Sequence, residues 1–430
     1  MPVAPHALGA LDAVMMIEAG SLTAEALTLS CLDRIAERED AVGAWEWIDR
    51  DGALAAAHAL DRGPRKGLLH GLPVAVKDTV DVAGMPTRMG SPIYVKAAPA
   101  AIDAASVALM RARGGVMLGK TVTTEFANFH PGKTRNPLNP EHTPGGSSSG
   151  SAAAVADRMV PLALGTQTAG SVLRPAAFCG VVGYKPSFGL IPRAGAKALA
   201  DSLDTIGSLA RDVPDAALLA AAMAGDDRLA IGRDKPDQPP TIGFCRTSEW
   251  RHAQPATAAA FEAVRRAATK AGALVKDIEL PPEFQRLAEA QATIQAVETA
   301  RSLATERLTH PRLLSDRLRK QIDEAGRIPL ARYADAVTLV GRCRTMLAGV
   351  LHGADVAVAP TAPGAAPQGL SSTGDPVFNR IWTALHGPAI HVPGLSDGAG
   401  LPLGVTVAGR FGDDRRVLLA AHWLFLTLHP

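Results

Sequence analysis

From Gly67 to Ser187 the chain is a succession of short apolar runs, LPVAV, GGVMLGK, MVPLALG and FCGVVGYKP, each closed off by Gly, Pro and Ser clusters. Such runs predict strands buried on both faces, the texture of an α/β fold. A helix is predicted between them, from Ala104 to Arg113. The first sixty residues read differently. Leu8, Leu11, Val14 and Met15 have helical spacing, and Ala24 to Arg38 follows Ser21 and Thr23, which can cap a helix. Residues Gly225 to Pro240 form the most polar and proline-rich stretch and suit an exposed connection, either a domain boundary or a loop inside one domain. Beyond it the pattern predicts a strand at TIGFC, a helix from Thr257 to Ala271, a strand at ALVKDIEL and helical sequence from Glu283 to about Leu351. Strands return at Asp355 to Pro360 and Leu403 to Ala408.

Composition narrows the function classes. Across 430 residues, 44 basic side chains face 42 acidic ones, so no strong field attracts nucleic acid or an anionic membrane. Cys31, Cys179, Cys245 and Cys343 are far apart and show neither CxxC spacing nor the density of a disulfide scaffold, and they read as packed thiols in a reducing compartment. No basic segment followed by an apolar one opens the chain, and the run Ala216 to Ala224 is far shorter than a membrane span, so the expected location is the cytoplasm.

Lys77 closes the run Leu72-Pro73-Val74-Ala75-Val76. An ammonium buried there without partners is costly or loses its proton more easily. Two readings stand: a lysine that snorkels at a strand end or pairs with Asp78, or a desolvated amine fit to act as a general base near neutral pH. Downstream, Gly145 and Gly146 permit close backbone approach, Ser147 to Ser149 supply hydroxyls, and Ser151-Ala152-Ala153-Ala154 begins a helix. A Gly/Ser loop of this kind serves as a flexible cap or a phosphate cradle, but GxxxxGK[ST] is lacking and nucleotide binding is disfavoured. Gly146 to Gly150 also satisfies G-x-S-x-G around Ser148. That motif needs a strand directly before the serine, and His142-Thr143-Pro144-Gly145 is a poor one.

Ser171 is the better candidate nucleophile. Val160 to Leu164 predicts a strand, Gly165 to Gly170 a turn, and Val172 onward an irregular or helical start. On such a turn the N–H groups of Thr168, Ala169, Gly170 and Ser171 can converge on a developing alkoxide. An ordinary glycine turn is the plain alternative.

Taken together, these elements resemble the amidase signature family: Lys77 in VKD, Ser147 in GGSS and Ser171 in T-x-GS, joined by PAAFCGVVGYKPS from Pro175 to Ser187, PTAPG from Pro360 to Gly364, and GLPLGVTVAGR near the C-terminus. The resemblance is strongest from Gly67 to Arg193 and weakest from about Arg228 to Leu351. It implies a single domain over residues 1–430, with a helical lead-in at 1–60, a signature core at 67–193 and a variable helical part at about 283–351, folded as an α/β protein with a mixed central β-sheet flanked by helices. It further implies that Ser171 attacks the acyl carbon to form an ester, that Ser147 relays the proton from a cis peptide bond, that Lys77 is the general base, and that no metal or cofactor is used. The implied reaction cleaves the C–N bond of a small linear amide. Carbamates (urethanes), aryl amides and ureido acids present the same carbonyl. A reading of another class is an amidotransferase A-type subunit that passes ammonia within a tRNA-dependent complex.

Two departures from the commonest family text bear on substrate. Where many members have Asp-Thr-Gly-Gly-Ser-Ile-Arg, this chain has Gln167-Thr168-Ala169-Gly170-Ser171-Val172-Leu173 and then Arg174. One account is a swapped structural pair. The other is a binding site in which Arg174 holds a substrate carboxylate while Gln167 supports it and Gly146 lines the approach. This text resembles the malonamidase-like branch, which makes small carboxylate-bearing amides reasonable substrates. His130, His142 and His386 lack metal-site spacing and read as surface or packing residues, while Trp382 and the stretch Asn379 to His386 are candidates for shaping the substrate pocket. The Ala-rich helical surface permits a homodimer without requiring one.

Overall fold

The computed structural model describes residues 3–429. Among these residues one mixed sheet is built from β1 (Trp45–Ile48), β2 (Pro73–Lys77), β3 (Val116–Thr121), β4 (Leu162–Gln167), β5 (Val182–Lys185), β6 (Thr205–Ala210), β7 (Thr241–Phe244), β8 (Leu274–Asp277), β9 (Val356–Pro360), β10 (Ala389–Ser396) and β11 (Pro402–Ala408). Their spatial order is β1-β3-β2-β4-β6-β5-β10-β11-β9-β7-β8. β2 runs parallel to β3 and β4, and β7 runs parallel to β8 and β9. The remaining neighbours pair antiparallel.

The strands read from continuous apolar runs are the interior ones. β2, β3, β5 and β9 are buried at every position, because helices cover both faces. One of those helices, Val213–Ala224, is itself buried at nearly every position. Its alanines let its axis approach the sheet closely, and its ends are fixed by Asp212, which accepts from the N–H of Asp215, and by Gly225 in the left-handed region. The predicted helix from Ala104 to Arg113 occupies Ala105–Ala112. Thr23 caps the helix Ala24–Val42 by accepting from the N–H of Ala26.

The lead-in is not helical throughout. After the helix Ala24–Val42 the chain crosses as β1 and pairs antiparallel with β3 at the sheet edge. Trp45 is buried and Trp47 exposed, and the register with β3 shifts between them, an irregularity common at sheet edges. β6 and β10 also appear where no strand was anticipated, and β6 joins β4 to β5 in the middle of the sheet. The ALVKDIEL strand is confined to Leu274–Asp277. Beyond the polar stretch at 225–240 the chain re-enters the same sheet through β7. Residues 283–351 fold mainly as the helices Leu287–Ser302, Ala304–Thr309, Asp316–Ala325 and Leu330–Val350; the first and last pack over a second apolar cluster that includes Phe284, Leu287, Ile381 and Trp382, and Asp316–Ala325 packs through Leu318 and Ile322 on a third with Phe126.

Candidate active site

The parallel strands β2 and β4 end side by side, and their carboxyl ends carry the candidate residues, the usual location of ligand sites in sheets of this kind. Lys77 is the last residue of β2 and is fully buried. Its Nζ donates to Ser147 Oγ at 2.7 Å and to Thr166 Oγ1 at 2.8 Å, with the Thr166 carbonyl oxygen at 3.3 Å. Burial lowers the Lys77 pKa to about 7; Asp204 acts in the opposite direction, and nearby Arg174 lowers it further. Asp78 is not its partner. That carboxylate pairs instead with the buried Lys120 at 2.9 Å, leaving Lys77 among hydroxyls and a carbonyl.

Ser147 lies in the loop that enters the helix Ser149–Ala156, and the Gly146–Ser147 peptide is cis. Gly145, with φ of +80°, turns the chain into this loop, and a Cβ there would stand 2.8 Å from Pro175 Cα. Ser148, the centre of the G-x-S-x-G match, is fully buried and occupied with the Thr166 backbone, its Oγ accepting from Thr166 N–H at 3.2 Å. It faces the sheet rather than a cleft. The Ser148 N–H donates to the Ser171 carbonyl oxygen at 3.3 Å, which ties the two serine-bearing segments together.

The turn after β4 is pinned through its carbonyl oxygens. Thr168 O accepts from Gln291 Nε2 at 2.8 Å, Ala169 O from Thr383 Oγ1 at 2.6 Å, and Gly170 O from Arg174 N–H at 2.8 Å. With three successive carbonyls held by protein donors, the N–H groups of Thr168, Ala169, Gly170 and Ser171 are left without a protein acceptor among the described residues. Thr168 Oγ1 also donates to Asp204 Oδ1 at 2.5 Å, and burial raises the Asp204 pKa to about 6 against the hydrogen bonds it accepts. A cavity of about 120 Å³ opens beside them, lined by Thr166, Thr168, Asp204, Leu199, Lys197 and Ile206 among others.

Gln167 and Arg174 are both turned inward. Gln167, with no exposed surface, accepts from the N–H groups of Val172 and Leu173 at 2.9 and 3.0 Å and donates to Thr383 Oγ1 at 2.9 Å. It caps the helix Leu173–Cys179, a role in which an amide oxygen replaces water at the orphan N–H groups of a helix start. Arg174 is 2% exposed, and its Nη2 donates to the Gly146 carbonyl oxygen at 2.6 Å and to Thr373 Oγ1 at 3.1 Å. Nε and Nη1 of Arg174 are buried without a hydrogen bond. Its pKa falls to about 9, chiefly through burial and then through Arg380.

In the stretch Asn379 to His386, Thr383 pins the turn and Arg380 lines a second cavity. Asn379, fully buried, backs onto Gly170 and donates to the Thr361 carbonyl oxygen at 3.0 Å. Trp382 lies in the second apolar cluster. His386 stacks on Phe188, and His142 meets the Ala366 carbonyl oxygen. All four cysteines are buried free thiols. Sequence reasoning missed Thr166, the third member of the Lys77 cluster, although strand alternation puts it on the same face as Thr168 and opposite Gln167. It also missed Gln291, for which no local signal existed.

A family model described as Amidase matches residues 26–418, and the chain belongs to that family, the amidase signature family. Two curated relatives are A-type subunits of glutamyl-tRNA(Gln) amidotransferase. The one from Acidothermus cellulolyticus is 46% identical over 56% of this chain, a match that spans only half (50%) of that relative. The one from Koribacter versatilis is 33% identical over 94% of this chain and 95% of its own length. Among solved structures, an amidase superimposes with a TM-score of 0.88 at 31% identity, covering 97% of this chain and 99% of that one. Among the described residues no helix is long and apolar enough to cross a membrane.

Proposed function

We propose that this protein is an amidohydrolase that cleaves the C–N bond of a small linear amide through an acyl-enzyme ester on Ser171. The observation that carries the reading is the 2.7 Å contact between a fully buried Lys77, shifted to about pKa 7, and Ser147 Oγ. A neutral amine has two N–H donors and one lone pair. The donors suit Thr166 Oγ1 and O, and the lone pair then takes the Ser147 proton as Ser147 takes that of Ser171. The carbonyl oxygen of the substrate, negative in the tetrahedral intermediate, finds the unclaimed N–H groups of residues 168–171, donors already fixed by their pinned carbonyls. Run backwards, the relay protonates the departing amine, and water then hydrolyses the ester by the same route.

Arg174 belongs to this machinery as a positioning residue. Its fork is sealed behind the cleft and holds Gly146 O, the carbonyl of the peptide that presents Ser147. An acidic substrate is supported by two features: the resemblance of the QTAGSVLR text to the malonamidase-like branch, and the presence of Arg380 with no carboxylate within ion-pair distance among the described residues. Gly146 remains the proposed floor of the approach to Ser147.

The second reading, an ammonia-donating component of a tRNA-dependent complex, is favoured by the full-length likeness to the amidotransferase chain from Koribacter versatilis. The departure from the commonest text at Gln167 to Arg174 favours the free-standing hydrolase. The test is release of ammonia or amine by the isolated chain from acidic and neutral amides, anilides and carbamates, with Ser171→Ala as the blank. Turnover lost in the blank supports the hydrolase. A folded wild-type protein that releases nothing until a partner is supplied supports the complex.

A further inference from the structure

A second cavity lies apart from the serines, between the helices Leu287–Ser302, Asp316–Ala325 and Val377–Ala384. It measures about 90 Å³, and its lining includes Arg380, Gln295, Thr299, Gln321, Phe129 and Ile322. Arg380 donates through Nη1 to the neutral oxygens of Gln291 and Gln295 and has no carboxylate within ion-pair distance among the described residues. Its Nε and Nη2 carry no hydrogen bond to the protein and are not sealed off as the corresponding atoms of Arg174 are. Burial lowers its pKa, with Asp375 the one charge acting to raise it. Two further polar atoms in this wall are unsatisfied: Thr299 Oγ1, on a side chain 4% exposed, and Gln321 Oε1. A cation with two free donors, next to a free hydroxyl and a free amide oxygen, is a place where burial has a cost that a ligand would offset.

This cavity is wired to the candidate active site. Arg380 and Gln295 both hydrogen-bond Gln291, and Gln291 Nε2 holds the Thr168 carbonyl oxygen. Two hydrogen bonds therefore separate Arg380 from the turn that carries the unclaimed N–H groups. The apolar part of the lining, Ala292, Ala296, Ile322 and Phe129, suits a short methylene chain leading to a charged end.

We propose that Arg380 and this cavity form a subsite for a carboxylate at the remote end of the substrate, so that the enzyme selects ω-carboxylate amides, the monoamides of straight-chain dicarboxylic acids. The inference rests on reading the serine cleft as an amide site, but its test is separable from turnover. In the Ser171→Ala protein, calorimetry compares binding of a homologous series of such monoamides with the matching diamides, which are near-isosteric and neutral.

For the chain length that fits, the acid is expected to bind at least about tenfold more tightly than its diamide, the scale of one charge-assisted fork. Adding Arg380→Gln brings the ratio to within about twofold, while Arg380→Lys keeps part of it. Because the readout is a ratio on one folded protein, a general loss of stability does not mimic it. A ratio near unity for every acid in the unsubstituted background, or one that survives Arg380→Gln, overturns the subsite. Loss of acid preference in Arg380→Gln from a protein that hydrolyses no amide supports the subsite and removes only the hydrolase reading.

Discussion

The Arg174 guanidinium donates to the Gly146 carbonyl oxygen at 2.6 Å, so a side chain on the helix that follows one serine holds the peptide that presents the other. A charge-assisted bond to a buried carbonyl is worth about 1.5–3 kcal/mol, enough to decide how that peptide is oriented. Arg174→Leu is therefore expected to lower kcat about tenfold or more, on acidic and neutral amides alike. Steady-state kinetics on a matched pair of substrates checks this, and a loss confined to the acidic partner would mean that Arg174 touches the substrate carboxylate directly.

The proposed role of Lys77 as a base requires its unprotonated amine, and burial brings its pKa to about 7. The sign follows: kcat/KM should rise about tenfold per pH unit below pH 7 and level off above it. Since Asp204 raises the Lys77 pKa and Arg174 lowers it, Asp204→Asn should move this acid limb to lower pH and Arg174→Leu to higher pH. Lys77→Met should remove the limb together with at least about 100-fold of the rate.

Gly170 has no room for a side chain, because a Cβ there would meet the side-chain oxygen of Asn379 and stand 3.0 Å from its Cβ. Gly170→Ala must displace the turn that carries the unclaimed N–H groups. Loss of one oxyanion donor typically costs about 100-fold in kcat, and a loss of that order is expected with an unchanged circular dichroism spectrum. Restoration by Asn379→Gly in the same chain, which removes both contacts, would locate the clash.

Gln167→Leu removes the acceptor for the N–H groups of Val172 and Leu173 at the start of the helix that follows Ser171. Two buried donors lose their partner, so unfolding by denaturant should show a loss of about 2 kcal/mol or more. A variant as stable as the parent would mean that water replaces the amide.

The sequence disclosed the parts of this molecule that are local. β2, β3, β4, β5 and β9 are apolar on both faces, so their runs were legible, and the three signature elements named Lys77, Ser147 and Ser171 in chain order. β1 was hidden inside a helical stretch because WEWI is four residues long and alternates only once. β6 and β10 were missed although both end up beside predicted strands, since pairing partners far apart in sequence leave no periodic trace. The same reason hid Gln291, and left Thr383 and Arg380 without individual roles inside the candidate stretch Asn379 to His386. Each acts through hydrogen bonds to segments at least 85 positions away, such as Arg380 to Gln291 and Gln295 or Gln291 to Thr168. Gln167 and Arg174 drew attention correctly as departures from the family text, but only the fold shows that both face inward.

The central claim is that Ser171 carries the acyl group. Acid-quenched mixtures of the protein with an amide or an activated carbamate, followed by intact-mass and peptide-level mass spectrometry, test it most directly. The account predicts one acyl adduct on Ser171, absent from Ser171→Ala and slow to form in Lys77→Met. An adduct on Ser147 or Ser148, or amide turnover that persists in Ser171→Ala, would contradict it.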